Sequence, residues 1–316
     1  MPTPLIGNII NLDADETVFF KRQLEHVKSR TYDVKYPNLM ATSVFPVSNE
    51  AGPGAETITY DQFDSVGLMK FISDYADDLP RSDVKGKQFS IIVQSLGGSY
   101  GWSIQEVRSA QMARRNLNGM RAMAARRSND QMANKIAWFA DGSADWAGLT
   151  GILYHPNTTK SAATTGSWIS GPATADQIIG DVNDAINSVP DLTNGVEAVD
   201  TVLLPQLEYS HIASTPRSTT SDTTILEFLR RVHPGVAFMP INELKSVTPN
   251  PRTGTGSANI MLCFRRSPDH IQYEIPVIFE QFAAQERNLS FIVPTHSRNA
   301  GFNVYYPLSV VQIDGI

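Results

Sequence analysis

The chain has 316 residues, 41% apolar and 18% charged, which suits one large or two modest folded domains and is too apolar for disorder. Its formal charge of −6 argues against binding nucleic acid or anionic membrane with the whole surface, while leaving local basic faces open. The lone Cys263 excludes an internal disulfide and suits a reducing cytoplasm. With no basic leader and no apolar run near about 18 residues, the product is expected to be soluble and intracellular.

Residues 1 to about 50 show little sustained periodicity. A short amphipathic helix is predicted over Asp15–Ser29, followed by scattered aromatics (Tyr32, Tyr36, Phe45) and isolated prolines. This suits an arm lying on other surfaces, or an irregular wrap on the same subunit. Glu56–Asp64 and Lys87–Ser95 alternate as strands, with Ile58 and Tyr60, then Phe89, Ile91 and Val93, on one face. The long connection between them reads as a protruding two-stranded hairpin, with an active-site lid as the competing explanation.

Between Pro80 and Pro156 there is no proline, although the chain carries 19. From Ser103 to Ala140 nearly every residue is a fair-to-good helix former. Taken as one rod, this stretch would span about 57 Å at 1.5 Å per residue. Asp141-Gly142 stops it. A Thr/Ser/Gly-rich loop is expected over Asn157–Gly171. Thr174-Ala-Asp-Gln177 and Thr224-Ile-Leu-Glu227 read as capping boxes. The first opens an amphipathic helix ended by Pro190, and the second a helix through Val232. Further strands are expected at Val199–Leu204, Val236–Met239, Asn259–Phe264, Ile271–Phe279, Ser290–Thr295, and Phe302–Tyr306 continuing through Val310–Ile313. The fold class is α+β, without a regular βαβ rhythm.

Catalytic constellations are scarce. The six histidines form no metal-ligand spacing, and His155 beside Pro156 reads as a hydrogen-bonded loop residue. Gly97-Gly98-Ser99-Tyr100-Gly101 lacks the order and the lysine of a phosphate loop, and Thr253-Gly-Thr-Gly-Ser257 reads as a flexible turn. Asp74, Asp77 and Asp78 make a solvated acidic hairpin tip rather than a cation site. No catalytic, cofactor or metal residue is assigned. Arg108, Arg114, Arg115, Arg121, Arg126 and Arg127 face few acids in the long helix, chiefly Glu106 and Asp130. They find their counter-charge in solvent, in a neighbouring subunit's carboxylates, or in nucleic-acid phosphate.

The segment Gly101–Pro156, with its Trp102-Ser103 helix start, Ala/Arg-rich helix, Ala140-Asp141-Gly142 stop and Gly148-Leu149-Thr150-Gly151 turn, resembles the spine-helix region of tailed-bacteriophage major capsid proteins with the Hong Kong 97-type fold. The ending Tyr306-Pro307-Leu308-Ser309-Val310 is similar to the closing strand of that group. The resemblance implies an N-terminal arm (1–50), an extended hairpin loop (51–98), a peripheral domain with the spine helix (99–171 and 281–316) and an axial domain (172–280). It implies a non-enzymatic shell subunit, forming hexamers and pentamers around double-stranded DNA in a virion head assembled in the bacterial cytoplasm. Scaffolding, portal and decoration proteins are further partners it allows. Leu68, Met69, Phe71, Ile72 and Tyr75 would make the hairpin's inter-subunit contacts. Arg114, Arg115, Arg121, Arg126 and Arg127 would form a basic spine face. Some members crosslink subunits through a loop lysine; Lys70, Lys85 and Lys87 lie in the right hairpin, but no pattern identifies a partner Asn or Glu. The chain begins too close to its arm for a fused scaffolding region, so a scaffolding protein, where one is needed, is expected to be separate. The alternatives are an encapsulin-type nanocompartment shell, with Val18, Phe19 and Phe20 lining a cargo groove, and an α+β hydrolase or transferase using Asp77, Asp78 or His155 in a lidded site.

Overall fold

The computed structural model describes residues 37–71, 79–112, 117–171, 173–218, 220 and 222–316. The predicted Asp15–Ser29 helix, Ile72, Asp74, Tyr75, Asp77, Asp78, Arg114 and Arg115 lie outside them. The chain divides into residues 1–38 and 39–316, and the second unit is described below.

It opens with α1 (Ala41–Val44) and β1 (Val47–Ser48). Ala41, Val44 and Phe45 are buried, and the Phe45 ring meets Trp138, Phe264 and Phe302 at centroid distances of 5.0, 5.3 and 4.8 Å. This part of the expected arm is therefore an integral piece of the core. β2 (Thr57–Val66) and β3 (Asp83–Ile92) follow as an antiparallel ladder from Thr57↔Ile92 to Val66↔Asp83. After Val93 comes β4 (Gln94–Ser103). The Gly97–Gly101 run is thus strand, not loop. Its turn-like composition is overridden by residue-by-residue pairing with Ser290–Asn299, nearly two hundred residues downstream.

Ser103 caps α2 (Ile104–Met112): its hydroxyl accepts from the Glu106 N–H at 3.1 Å, and the Glu106 carboxylate accepts from the Ser103 N–H at 3.1 Å. This is a complete S/T-x-x-E/Q capping box, like that at Thr174/Gln177 but unmarked in the sequence reading. α3 (Leu117–Phe139) comes next. The two helices do not form one straight rod. Arg121 Nη2 lies 3.0 Å from Glu106 Oε1, whereas 15 residues along a straight helix would separate them by about 22 Å. The ion pair and an Arg121 bond to the Gly101 carbonyl hold the start of α3 against α2 and β4. Helix α3 ends where the Asp141-Gly142 stop is expected, with Gly142 at φ +79°.

The expected loop at 157–171 contains a short strand, β5 (Thr159–Ala162), and the buried Trp168, whose indole N–H donates to Asp181 at 3.0 Å. α4 (Ala175–Leu192) begins at the Thr174/Gln177 capping box. Pro190 sits inside its last turn rather than ending it, so the helix runs two residues further. β6 (Thr201–Pro205), α5 (Gln206–Ser214), α6 (Ile225–Val232) and β7 (Ala237–Ile241) follow. Thr224 caps α6 by accepting from the Glu227 N–H at 3.3 Å. Pro240 is accommodated within β7 because that strand is a sheet edge.

The remaining strands are β8 (Ile260–Phe264), β9 (Ile271–Glu274), β10 (Val277–Gln281), β11 (Gln285–Arg287), β12 (Ser290–Asn299), β13 (Gly301–Val304) and β14 (Val310–Asp314). Two expected single strands are each divided between sheets. Ile271–Phe279 breaks at Ile275-Pro276, sending β9 to β1 and β13 and β10 to β12. The closing strand breaks at the 3-10 turn Pro307–Ser309. In both places a proline, which has no N–H to give a ladder, lies at the break.

A five-stranded sheet, β5-β14-β8-β6-β7, joins two cores. Every residue of β6, β8 and β14 is buried, as expected for strands covered on both faces. Leu203, Leu262, Phe264 and Val310 enter one core with Phe45, Trp138, Tyr273 and Phe302. Their sequence neighbours Val202, Met261, Cys263 and Val311 enter the other with Ile178, Val182 and Leu229. The alternation is the period of two of a β-strand.

Candidate assembly surfaces

The β2–β3 hairpin is rooted by aromatic packing. Tyr60 stacks on Phe89 at 5.3 Å and meets Tyr305 edge-on at 4.8 Å. The Val93 N–H donates to the Glu56 carbonyl at 2.9 Å, and Arg298 Nη1 donates to the Pro53 carbonyl at 2.5 Å. Beyond this root the ladder is exposed. Leu68, Met69 and Phe71 are 89, 99 and 107% exposed, and Phe63, Val66, Leu79 and Val84 are exposed on the same hairpin. The last four were missed in the sequence reading, although Phe63 and Val66 continue the β2 run. A two-stranded ladder alone is marginal in water, and this concentration of exposed apolar side chains marks an interaction surface. Lys85 pairs in register with Asp64, and Lys87 with Gln62, its ammonium 4.8 Å from the Phe89 ring centre.

The described spine arginines, Arg121, Arg126 and Arg127, are not gathered on one face. Arg121 is committed to Glu106 and the Gly101 carbonyl. Arg126 and Arg127 lie about 140° and 240° around the helix from it at 3.6 residues per turn. Arg126 is exposed, Arg127 partly buried. The exposed part of α3 also carries Met120, Met123 and Met132.

Other polar groups are structural. His155 is buried, and its Nδ1 accepts from the Asn157 N–H at 3.4 Å. Burial, then the nearby Lys160 charge, holds its imidazole down to about 4. Glu197 Oε2 accepts from His270 Nε2 at 2.7 Å and Arg265 Nη1 at 2.8 Å. Burial would raise the Glu197 carboxyl, but these two bonds outweigh it and hold it below the usual range. Asp314 takes Arg252 Nε at 2.7 Å and Asn250 Nδ2 at 2.5 Å, which pins the Thr253–Ser257 turn to the last strand. Cys263 is buried, and burial pushes its thiol up to about 12, so it is inert. Among the described residues no group of three His, Cys, Asp or Glu side chains could hold a metal ion, and no helix is long and apolar enough to cross a membrane.

A hairpin rooted in the body and apolar at its free end belongs to a subunit completed by others. Comparison with known proteins agrees: the family model for the major capsid protein matches residues 67–316. The chain belongs to the major capsid protein family. No curated protein sequence matches it. Among solved structures, the capsid of the Myoviridae phage XM1 superposes with a TM-score of 0.82 at 19% identity, covering 95% of this chain and 99% of that one. Mycobacterium phage Ogopogo follows with a TM-score of 0.59 at 12% identity, covering 94% and 99%. The capsid of a native GTA particle gives 0.58 at 8% identity, covering 92% and 94%. The fold is the Hong Kong 97-type capsid fold. As a major capsid protein the chain is a structural, non-enzymatic subunit of a phage head; it resides in the virion capsid and associates with copies of itself into a shell. This sets aside the hydrolase or transferase alternative.

Proposed function

We propose that the protein assembles into hexamers and pentamers through its β2–β3 hairpin, with Leu68, Met69 and Phe71, joined by Ile72 and Tyr75, seated on the adjacent subunit. The observation that carries this is the near-complete exposure of those three apolar side chains on a hairpin rooted in its own subunit. Copies related by local rotation axes make heterologous contacts, which close into rings. The arm (1–50), loop (51–98), peripheral domain (99–171 and 281–316) and axial domain (172–280) are the working parts of this reading. The shell encloses double-stranded DNA, as the Hong Kong 97-type resemblance implies, and forms in the host cytoplasm. Separate scaffolding, portal and decoration proteins are its further partners. Arg126 of α3, exposed on the helix, meets a counter-charge outside its own subunit.

Expression of the chain, with electron microscopy of the soluble fraction, tests the assembly reading. Closed particles built of five- and six-membered rings are expected, and a monodisperse monomer at high concentration would overturn it. Nuclease-protected duplex DNA inside particles from infected cells is the expected sign of packaging. Particles that never hold DNA would point instead to the nanocompartment alternative. Covalent linkage through Lys70, Lys85 or Lys87 is not expected, and a denaturing gel should show monomer alone.

A further inference from the structure

Helix α4 keeps Ile178, Val182, Ala185 and Val189 in its core and leaves its opposite face bare. On that face lies an open concavity of about 740 Å³, walled by Asp184, Asn187, Asp191 and Asn194 among others, with no basic side chain in its lining. Asn183 marks the side of α4 that meets α6, its amide oxygen 2.8 Å from His233 Nε2. At 3.6 residues per turn, Asp184 and Asp191 lie about 100° and 80° around the helix from Asn183, so they point outward. Just beyond, Leu192 and Val196 are exposed.

The opposite charge gathers on another flank. α4 packs over β14, next to the β5 edge of the five-stranded sheet, whereas α5 packs over β6 and β7, at the other edge. The last turn of α6 carries Arg230 and Arg231, both exposed. Arg230 Nη2 donates to the Tyr209 hydroxyl of α5 at 3.0 Å, which places it on the α5 flank. Arg231 lies nearly opposite the buried Leu229, about 200° around the helix, and faces solvent. Glu227, one turn earlier, offsets one of the two charges and leaves the turn net positive. The exposed residues of α5, Gln206, Leu207, Ser210 and Ser214, are uncharged. Among the described residues Asp184, Asp191, Arg230 and Arg231 make no ion pair within their own subunit.

We infer that the last turn of α6 in one copy of the chain seats in the acidic concavity of α4 in the next, Arg230 and Arg231 against Asp184 and Asp191. The occupant is a second copy because one chain carries both halves of the contact on different flanks. Each subunit then gives its arginines to one neighbour and its carboxylates to the other, and rotation repeats the contact into a ring. Guanidinium–carboxylate bonds are charge-assisted, and exposed Leu192, Val196, Leu207 and Val232 supply apolar surface around them. Nucleic acid does not fit the concavity, since its carboxylates repel phosphate. Nor does a metal ion: among the described residues no three suitable side chains meet to hold one. The inference rests on the ring assembly proposed above and adds a contact separate from the hairpin.

The test compares full-length chains: the parent, Arg230→Glu with Arg231→Glu, Asp184→Lys with Asp191→Lys, and all these substitutions together. The substituted residues are exposed, and circular dichroism with melting of the unassembled subunit checks that each variant folds. At low salt each two-site variant is expected to need a concentration about tenfold or more above the parent's to assemble, because like charges meet at every joint. The four-site chain should return near the parent. Mixed in equal amounts, the two-site variants should recover six-membered rings, in which they alternate, but not five-membered ones, where an odd number forces a like-charge joint. Parent-level assembly by both two-site variants, or a four-site chain no better than either, overturns the inference. Absence of particles from the parent would overturn the assembly reading and this inference with it, whereas particles indifferent to these charges overturn this inference alone.

Discussion

His155 illustrates how a candidate catalytic residue becomes a stability determinant. Its imidazole is held down to about 4 in the folded chain, by burial first and the Lys160 charge second, and titrates near 6.5 when unfolded. Above about 6.5 both states are neutral, and below about 4 both are protonated; between these limits the unfolded chain binds the extra proton. Stability therefore falls as pH drops from about 6.5 to about 4, by on the order of 3 kcal/mol in all. Denaturant titrations across that range should show the slope, and His155→Gln should flatten it. An unchanged slope in the variant would remove His155 as the cause. Phe45 tests packing at the same scale. With three ring contacts and full burial, Phe45→Ala should cost about 3–5 kcal/mol. A loss below about 1 kcal/mol would be the value for a surface position and would contradict its place in the core.

Among the elements, the hairpin and the α2–α3 junction make separable claims. Leu68→Asp, Met69→Asp or Phe71→Asp should leave the melting of the unassembled subunit within about 0.5 kcal/mol of the parent, because these side chains touch little in their own chain. Particle formation should be lost, as size-exclusion chromatography and microscopy would show. Assembly at the parent level in all three variants would remove the tip from the interface. Glu106→Gln should lower hydrogen-exchange protection in α2 while leaving the buried end of α3 unchanged. The sequence made some of this legible. Thr174 and Gln177 announced a helix start because a capping box is local chemistry, and Ser103-Ile-Gln-Glu106 could have been read by the same rule. The β2–β3 pairing showed in its alternation. The Gly97–Gly101 strand and the divided strands at Pro276 and Pro307 did not, since each depends on partners distant in sequence. The straight rod was over-read: helix propensity reports that residues favour a helix, not that successive helices share an axis.

For residues 39–316 as a whole, the five-stranded sheet makes the two cores one cooperative body. Val202→Ala acts on one core and Leu203→Ala on the other, each costing about 2–4 kcal/mol. Each should nonetheless shift a single calorimetric transition, and two resolved transitions would show that the cores melt independently. The same sheet also determines which substitutions influence one another. Covalent neighbours such as Leu262 and Cys263 point into different cores, while Leu262 and Phe264 share one. Energetic coupling in double-substitution cycles should therefore skip a residue along each central strand, with adjacent pairs nearly additive and alternate pairs not. A shell subunit built this way can adjust the packing of one core at alternate positions of each central strand while the intervening positions, and the core they fill, stay as they were.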